Sequence, residues 1–273
     1  MSRVLAELDG VLPLREPPPL LDLAQMLRFF GTARMSLNMG QWQQLFGLTM
    51  SLLTRTYSLA ETAVIKPISH ANNLLPHLLA WHRDCRAALI YVDLPSYLAS
   101  MLKPSNRSET RRALIESRSM DFQRLTGNPG LDSESLEDGQ AAALVWLLQM
   151  HEFRQAMQSF ELRQRLLPVH FDDFLQGPTE SLQQLANFFG LAADASRIDA
   201  VLQGAVMHSY SKSPAHAYAS NRRTQELHRN AVEYAKEIDS ALSWAKDIVD
   251  KYPALHLLQD DLASSSRLVT QVR

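Results

Sequence analysis

The polar groups Asp93, Ser96 and Ser100 come directly after the apolar run Ala87-Ala88-Leu89-Ile90-Tyr91-Val92. A run of that length suits a strand buried on both faces, and in a parallel sheet ligands bind at the carboxyl ends of the strands. Residues 92–100 are therefore expected to form one wall of any site. Lys66 closes a second apolar run, Ala63-Val64-Ile65, and so also stands at a strand end. Metal chemistry is not expected. His70, His77 and His82 lie near one another but lack partner acids at ligand spacing, and solvated or capping histidines explain them. Cys85 is the single cysteine, which excludes an internal disulfide framework and a cysteine zinc site. Just before an apolar strand it reads as a small core residue. The chain has no G-x-S-x-G elbow, no G-x-G-x-x-G and no G-x-x-x-x-G-K-S/T loop.

The elements that must position these groups follow from periodicity. Residues 11–14, 63–66, 87–92 and 166–171 have strand length. Helical spacing is expected over residues 20–30, with Leu20, Leu23, Leu27 and Phe30 on one side. Residues 40–54, with Trp42, Leu45, Phe46, Leu48 and Met50, read as a mostly buried helix. Further helices are expected at 72–81, capped by Ser69, at 106–124, and at 140–163 with Ala143, Trp146, Leu147 and Met150 inward. Residues 179–189 end at Gly190, a left-handed cap, and residues 196–202 form one more helix. Residues 224–251 carry the best amphipathic pattern, through Val232, Ala235, Ile238, Leu242, Ala245 and Val249. Residues 126–139 and 208–223 read as irregular, Asp172-Asp173 as a turn, and 263–273 as a frayed tail. Strands alternating with helices predict an α/β protein, with a parallel sheet flanked by many helices in one domain over residues 1–262.

Composition narrows the partners. The 273 residues are 46% hydrophobic and 21% charged, as in an ordinary soluble domain. A net charge of −2 creates no global field for nucleic acid or an anionic membrane. The most apolar window, residues 45–53, is too short to span a bilayer, and the start lacks a secretory pattern. The expectation is a cytoplasmic protein with a small-molecule partner, no nucleic acid and no membrane span.

Longer stretches carry a resemblance. VIKPISHANNLLPHLLAWHRDCRAALIYVDLPSYLASMLK resembles the middle of the P-loop sulfotransferases, especially bacterial ones. There a strand ends in Lys, a helix with LLP follows, and the next strand leads to a helix carrying Ser. LLPVHFDDFLQGPTESLQQLANFFGL is similar to the later strand, proline-headed helix and FLGL block. SYSKSPAHAYASNRRTQEL resembles a YSK…Y…R segment, and LDGVLPLREPPPLLDLA a segment with a Glu-Pro pair. The blocks stand in the family's order over nearly the whole chain.

What the resemblance implies is a P-loop-NTPase-like sulfotransferase fold. The activity would be transfer of a sulfuryl group from 3′-phosphoadenosine 5′-phosphosulfate (PAPS), as co-substrate and without a metal, to a hydroxyl or amine. Glu16 matches the Glu of the Glu-Pro pair and becomes the base candidate; a surface loop carboxylate is the plain alternative. Lys66 matches the family's strand-end Lys, against a solvated lysine. His70 is a second catalytic candidate, although cytosolic members place their His two residues after the Lys rather than four. Ser100 matches the phosphate-binding Ser. Lys212 and Arg222 would supply cations over donor or acceptor, against solvated loop charge. The acceptor pocket would be built from residues 20–54 and 107–139, whose apolar content fits an apolar or amphipathic acceptor and fits core packing equally.

Two departures accompany the match. The family's first strand and phosphosulfate loop have no counterpart, and MSRVLAEL resembles the helix after that loop. Eight residues before Ser100, where the family has an Arg for the 3′-phosphate, stands Val92, with Asp93 beside it. Arg107, Arg111 or Arg112 would have to substitute. The expectation is a sulfotransferase impaired in donor binding; the alternative is a non-catalytic sulfotransferase-like binding module or truncated pseudoenzyme. Without the family's central strand, a gap is expected between the strands at 63–66 and 87–92, with unpaired backbone groups on both sides. The 273-residue chain is then predicted to melt poorly or aggregate. A cooperative, reversible thermal transition by circular dichroism at mesophile temperatures contradicts that.

Overall fold

Four of the short apolar runs become strands. β1 (Val11–Arg15) and β2 (Thr62–Lys66) pair in parallel, with Val11 opposite Thr62 and Arg15 opposite Lys66. β3 (Ala87–Tyr91) pairs with β4 (Leu166–His170), and the N–H of Ala87 donates to the carbonyl of Arg165 at 2.9 Å. Among the described residues these are two separate two-stranded sheets, divided between β2 and β3. The computed structural model describes residues 1–104, 110–128, 131–132, 135–207, 209–210, 213–217 and 220–263, with backbone alone at 110–116, 209–210, 213–217 and 220–222. The tail read as frayed therefore lies, apart from residue 263, outside the described residues. The architecture is mixed α/β, mostly helical, with small sheets.

The chain forms two compact units, Met1–Ile90 with Ser159–Ser220, and Tyr91–Gln158 with Asn221–Arg273. In the first unit, α1 (Ser2–Leu5) precedes β1, and α2 (Pro18–Phe29) and α3 (Met39–Leu53) lie between β1 and β2. A 3-10 turn, Ser69–Leu74, runs into α4 (Leu75–Trp81). The alternation of β2 sorts its side chains between two cores. Val64 packs with Val4, Leu5, Leu8, Phe174 and Leu182, whereas Ile65 packs with Leu20, Leu23, Trp42, Phe46 and Leu74. The β1–β2 sheet is thus covered on both faces, which its apolar sequence requires. Trp42 anchors the second core: its indole N–H donates to the carbonyl of Leu23 at 3.1 Å and its ring stacks on Phe46 at 5.3 Å.

Several expected elements are corrected here. β3 is not buried on both faces: Leu89 is buried but Ile90, which alternation turns to the other face, is exposed. Ser69 makes no side-chain cap, and residues 69–74 wind as 3-10. The α-helix starts at Leu75 with Pro76 in its first turn, where a missing N–H removes no intrahelical bond. α3 is half exposed rather than mostly buried. Trp42, Phe46 and Met50, four residues apart, form its inner stripe, and Leu45, Leu48 and Leu52 fall on the opposite side.

The second unit is built around one helix. α5 is Leu94–Met101, α6 is Thr110–Thr126, and α7 is Asp138–Gln158. Every residue of α7 from 141 to 148 is buried, as expected for a helix apolar on all sides. The expected helix over 140–163 is two helices. α7 stops at Gln158, and Ser159 caps α8 (Phe160–Arg163) of the first unit by accepting from the N–H of Leu162. The first unit continues with α9 (Phe171–Gln176), α10 (Pro178–Phe189) and α11 (Ala195–Gln203). Asp172 and Asp173 lie in the first turn of α9 rather than in a turn, where the helix dipole favours acids. Gly190 is the left-handed cap of α10, with φ 69°. Residues 208–223 are not wholly irregular, since β5 (Ser209–Tyr210) and β6 (Ser213–Ala217) form an antiparallel pair.

The expected helix over 224–251 divides at Tyr234 into α12 (Ser220–Glu233) and α13 (Ala235–Lys251). Val232 is exposed, because the buried stripe runs through the neighbouring Ala231 and a one-residue step turns the side chain by about 100°. Gly139 lets α7 approach α13: a Cβ there would sit 3.0 Å from the Ala241 Cβ and 3.0 Å from the Glu237 carbonyl oxygen. Arg118 is fully buried and donates to Asp121 at 3.1 Å and Glu152 at 3.3 Å. No helix among the described residues is long and apolar enough to cross a membrane.

Burial pushes the imidazole of His151 below its usual pKa, with a backbone hydrogen bond to Ala254 opposing it. The folded state therefore resists protonation, whereas the unfolded chain takes up a proton as pH falls through about 6.5. Stability is complete above that pH and declines below it, by up to about 1.4 kcal/mol per pH unit for this group. Urea midpoints at pH 7.5 and 5.5 check this: the acid loss should shrink in His151→Gln, and an unchanged pH slope in that variant contradicts the assignment.

Candidate functional site

The parallel register brings the carboxyl ends of β1 and β2 to one edge, with Arg15 opposite Lys66. Glu16 follows directly, and its N–H donates to the Lys66 carbonyl at 2.7 Å, one bond beyond the strand pair. Among the described residues Glu16 is the only non-glycine with positive φ, at 51°. Such a backbone costs about 1–2 kcal/mol for an L-residue and recurs at functional sites. The twist turns the Glu16 carboxylate back to the Lys66 ammonium, and the two side chains form an ion pair. Both are about half exposed, so the pair itself contributes only about 0–1 kcal/mol. The arrangement holds a carboxylate able to accept a proton beside a cation able to stabilise negative charge.

His70 stands on the 3-10 turn that begins after Ile68, with its Nδ1 3.3 Å from the Ser69 hydroxyl. Three of the expected site residues, Glu16, Lys66 and His70, thus belong to one unit and follow the ends of adjacent strands. Ser100 is half-buried on α5 of the second unit. Lys212 and Arg107 lie outside the described residues, and Arg222, Arg111 and Arg112 are described in backbone only.

The helices that leave the two strand ends offer little to an anion. α2 opens with Pro17 as N-cap and Pro18 and Pro19 in its first turn, three residues without an N–H. At α5 the N-cap is Asp93, whose carboxylate accepts from the Ser96 N–H at 2.8 Å and from the Ser96 hydroxyl at 3.0 Å. A side-chain carboxylate already takes the place that an anionic ligand takes at other helix starts. The preceding carbonyl, of Val92, accepts the indole N–H of Trp146 at 2.9 Å. The corner expected to be a site wall is hydrogen-bonded to α7 through Trp146 and to α5 through Ser96. The Asp-x-x-Ser spacing before an apolar helix is the signal for this cap; the Trp146 bond, 54 residues away in the chain, has no local signal.

No protein-family model matches the chain, and no curated protein matches it. A solved structure described as "Sulfotransferase Domain from the Curacin Biosynthetic Pathway" aligns over 86% of this chain and 92% of its own, at 12% identity and a TM-score of 0.49.

The strain at Glu16 predicts an unusual substitution series. Glu16→Gly removes the backbone cost and forfeits a weak ion pair, so the unfolding midpoint should hold or rise by up to about 1 kcal/mol. Glu16→Val, branched at Cβ, should lose about 1–2 kcal/mol. Equal destabilisation by both in urea titration contradicts a left-handed Glu16.

Proposed function

We propose that this chain is a sulfotransferase-type protein whose transfer step runs at the β1–β2 edge. A sulfuryl group passes from PAPS to a hydroxyl or amine of a small-molecule acceptor. The observation that carries the reading is the strained Glu16 held against Lys66 at the carboxyl ends of two parallel strands. The order of the four sequence blocks supports it.

In the proposed step the Glu16 carboxylate takes the acceptor proton, and the acceptor oxygen or nitrogen bonds to sulfur. The bond from sulfur to the bridging phosphate oxygen breaks, and that oxygen leaves with the electron pair. The Lys66 ammonium stabilises its charge. The resting ion pair opens at small cost, since both partners are half exposed. His70 is the second base candidate. Ser100, Lys212 and Arg222 are assigned to the donor's phosphates, and no metal takes part.

One observation favours a second reading, a non-catalytic module of the same type. Neither α2 nor α5 presents a free N-terminal cradle, α2 because of its prolines and α5 because of Asp93. A polyanion with about four charges needs such cradles or cations in their place. Donor affinity is accordingly expected to be weaker than micromolar.

Transfer of labelled sulfate from PAPS to a panel of phenols, alcohols and amines tests the two readings. The first expects slow transfer that falls by about 10²–10⁴ in Glu16→Gln. No transfer by the unaltered chain, or equal transfer by the variant, rejects it. Calorimetry with 3′-phosphoadenosine 5′-phosphate tests the donor side separately, and micromolar binding contradicts the closed helix starts.

A further inference from the structure

We propose that Arg15 and Lys66 form a binding site for an oxyanion, and that the Glu16 carboxylate is its resting occupant. In the β1–β2 register Arg15 stands opposite Lys66, and register partners share one face of a sheet. Alternation identifies the face. Val11 and Val64 both pack on the core of Val4, Leu5, Leu8 and Phe174, and Arg15 and Lys66 lie an even number of residues further along the same strands. Two cations thus leave the sheet side by side, on strands about 4.8 Å apart. Like charges in that position weaken the pairing unless an anion joins them.

One anion does join Lys66. Continued alternation would send the Glu16 side chain to the opposite face, toward the core of Leu20 and Trp42. The left-handed backbone of Glu16, with φ 51°, breaks that alternation, and its carboxylate pairs with the Lys66 ammonium. Arg15 is exposed and has no ion pair among the described residues. At rest the edge therefore sets two positive charges against one carboxylate, and the guanidinium fork is unused. An oxyanion that bridges both side chains gains that planar fork as well as the Lys66 ammonium. It competes with Glu16, whose half-exposed pair holds Lys66 by a factor of about five at most. Entry of the anion releases the Glu16 carboxylate, so the resting pair is a latch that the ligand opens. The binding site stands whether or not transfer occurs; that occupancy frees a catalytic base rests on the transfer reading above.

Amide NMR of the full chain, titrated with sodium sulfate at an ionic strength held constant with sodium chloride, tests the site. The Glu16 and Lys66 amide signals should shift and saturate in the millimolar range. Arg15→Ala should weaken this binding at least about tenfold, and Arg15→Gln serves if that variant folds poorly. Glu16→Gln removes the competing charge and should tighten it about two- to fivefold. Arg55→Ala, an exposed cation in the loop after α3, should leave it unchanged. PAPS identifies the source of the anion. Displacement of sulfate assigns the site to the donor's sulfuryl or phosphate groups, and sulfate binding alongside PAPS assigns it to an anionic group of the acceptor; both uphold the site. Shifts that do not saturate, equal losses in Arg15→Ala and Arg55→Ala, or unchanged affinity in Glu16→Gln overturn the proposal. None of these readouts needs transfer, so a chain that binds sulfate in this way but transfers nothing rejects the transfer reading alone.

Discussion

The five-residue parallel pairing of β1 with β2 is the constraint on which the first unit rests. The pair is short, yet it separates two cores, because Val64 and Ile65 are adjacent in sequence and must face opposite ways. A slip of one residue would exchange them and move Ile65 out of contact with Trp42 and Leu20. The same register makes Arg15 and Lys66 neighbours and brings Glu16 level with the Lys66 carbonyl. The backbone of Glu16 is strained by satisfying that last bond while the chain turns into three prolines. Position and chemistry at this edge therefore have one cause.

Electrostatics at the helix starts runs against the general habit of α/β sheets. In those sheets the helix after a strand usually points free N–H groups at a ligand. Here prolines delete donors of α2, and at α5 Pro95 lacks one and Asp93 takes that of Ser96. Each choice makes its helix start well defined: proline fixes φ, and an Asp cap is worth about 1 kcal/mol. The β1–β2 edge carries instead a half-exposed carboxylate–ammonium pair, Glu16 with Lys66. The second unit spends its burial differently, on a helix enclosed on all sides and on a buried Arg118 paired with Asp121 and Glu152. An arginine so enclosed is costly to orphan, since removal of its carboxylates would leave a buried charge without compensation.

The strands β1 to β4 were legible in the sequence, each within one residue, because short apolar runs bounded by Gly, Pro or charge admit few other readings; β5 and β6, in polar residues read as irregular, were not. The Gly190 cap and the inward set Ala143, Trp146, Leu147 and Met150 on α7 were legible for the same reason, a strong local period. Glu16 and Lys66 were legible as candidates but not as a pair, since 50 residues separate them and only the register joins them. The exposure of Leu45, Leu48 and Leu52 was not legible. A helix rich in leucine on both sides gives a weak amphipathic signal, and only the tertiary neighbours decide which side is covered. Helix breaks at Ser159 and Tyr234 were missed because the apolar spacing continues across them.

Each unit carries a buried indole whose N–H is bonded to a distant carbonyl, Trp42 to Leu23 in one and Trp146 to Val92 in the other. Desolvated, hydrogen-bonded indoles emit to the blue of exposed ones, and each loses that environment when its own core opens. The two halves of this molecule thus come with built-in optical reporters. Whether the chain unfolds as one cooperative body or as two is a question its own fluorescence can answer, one tryptophan at a time.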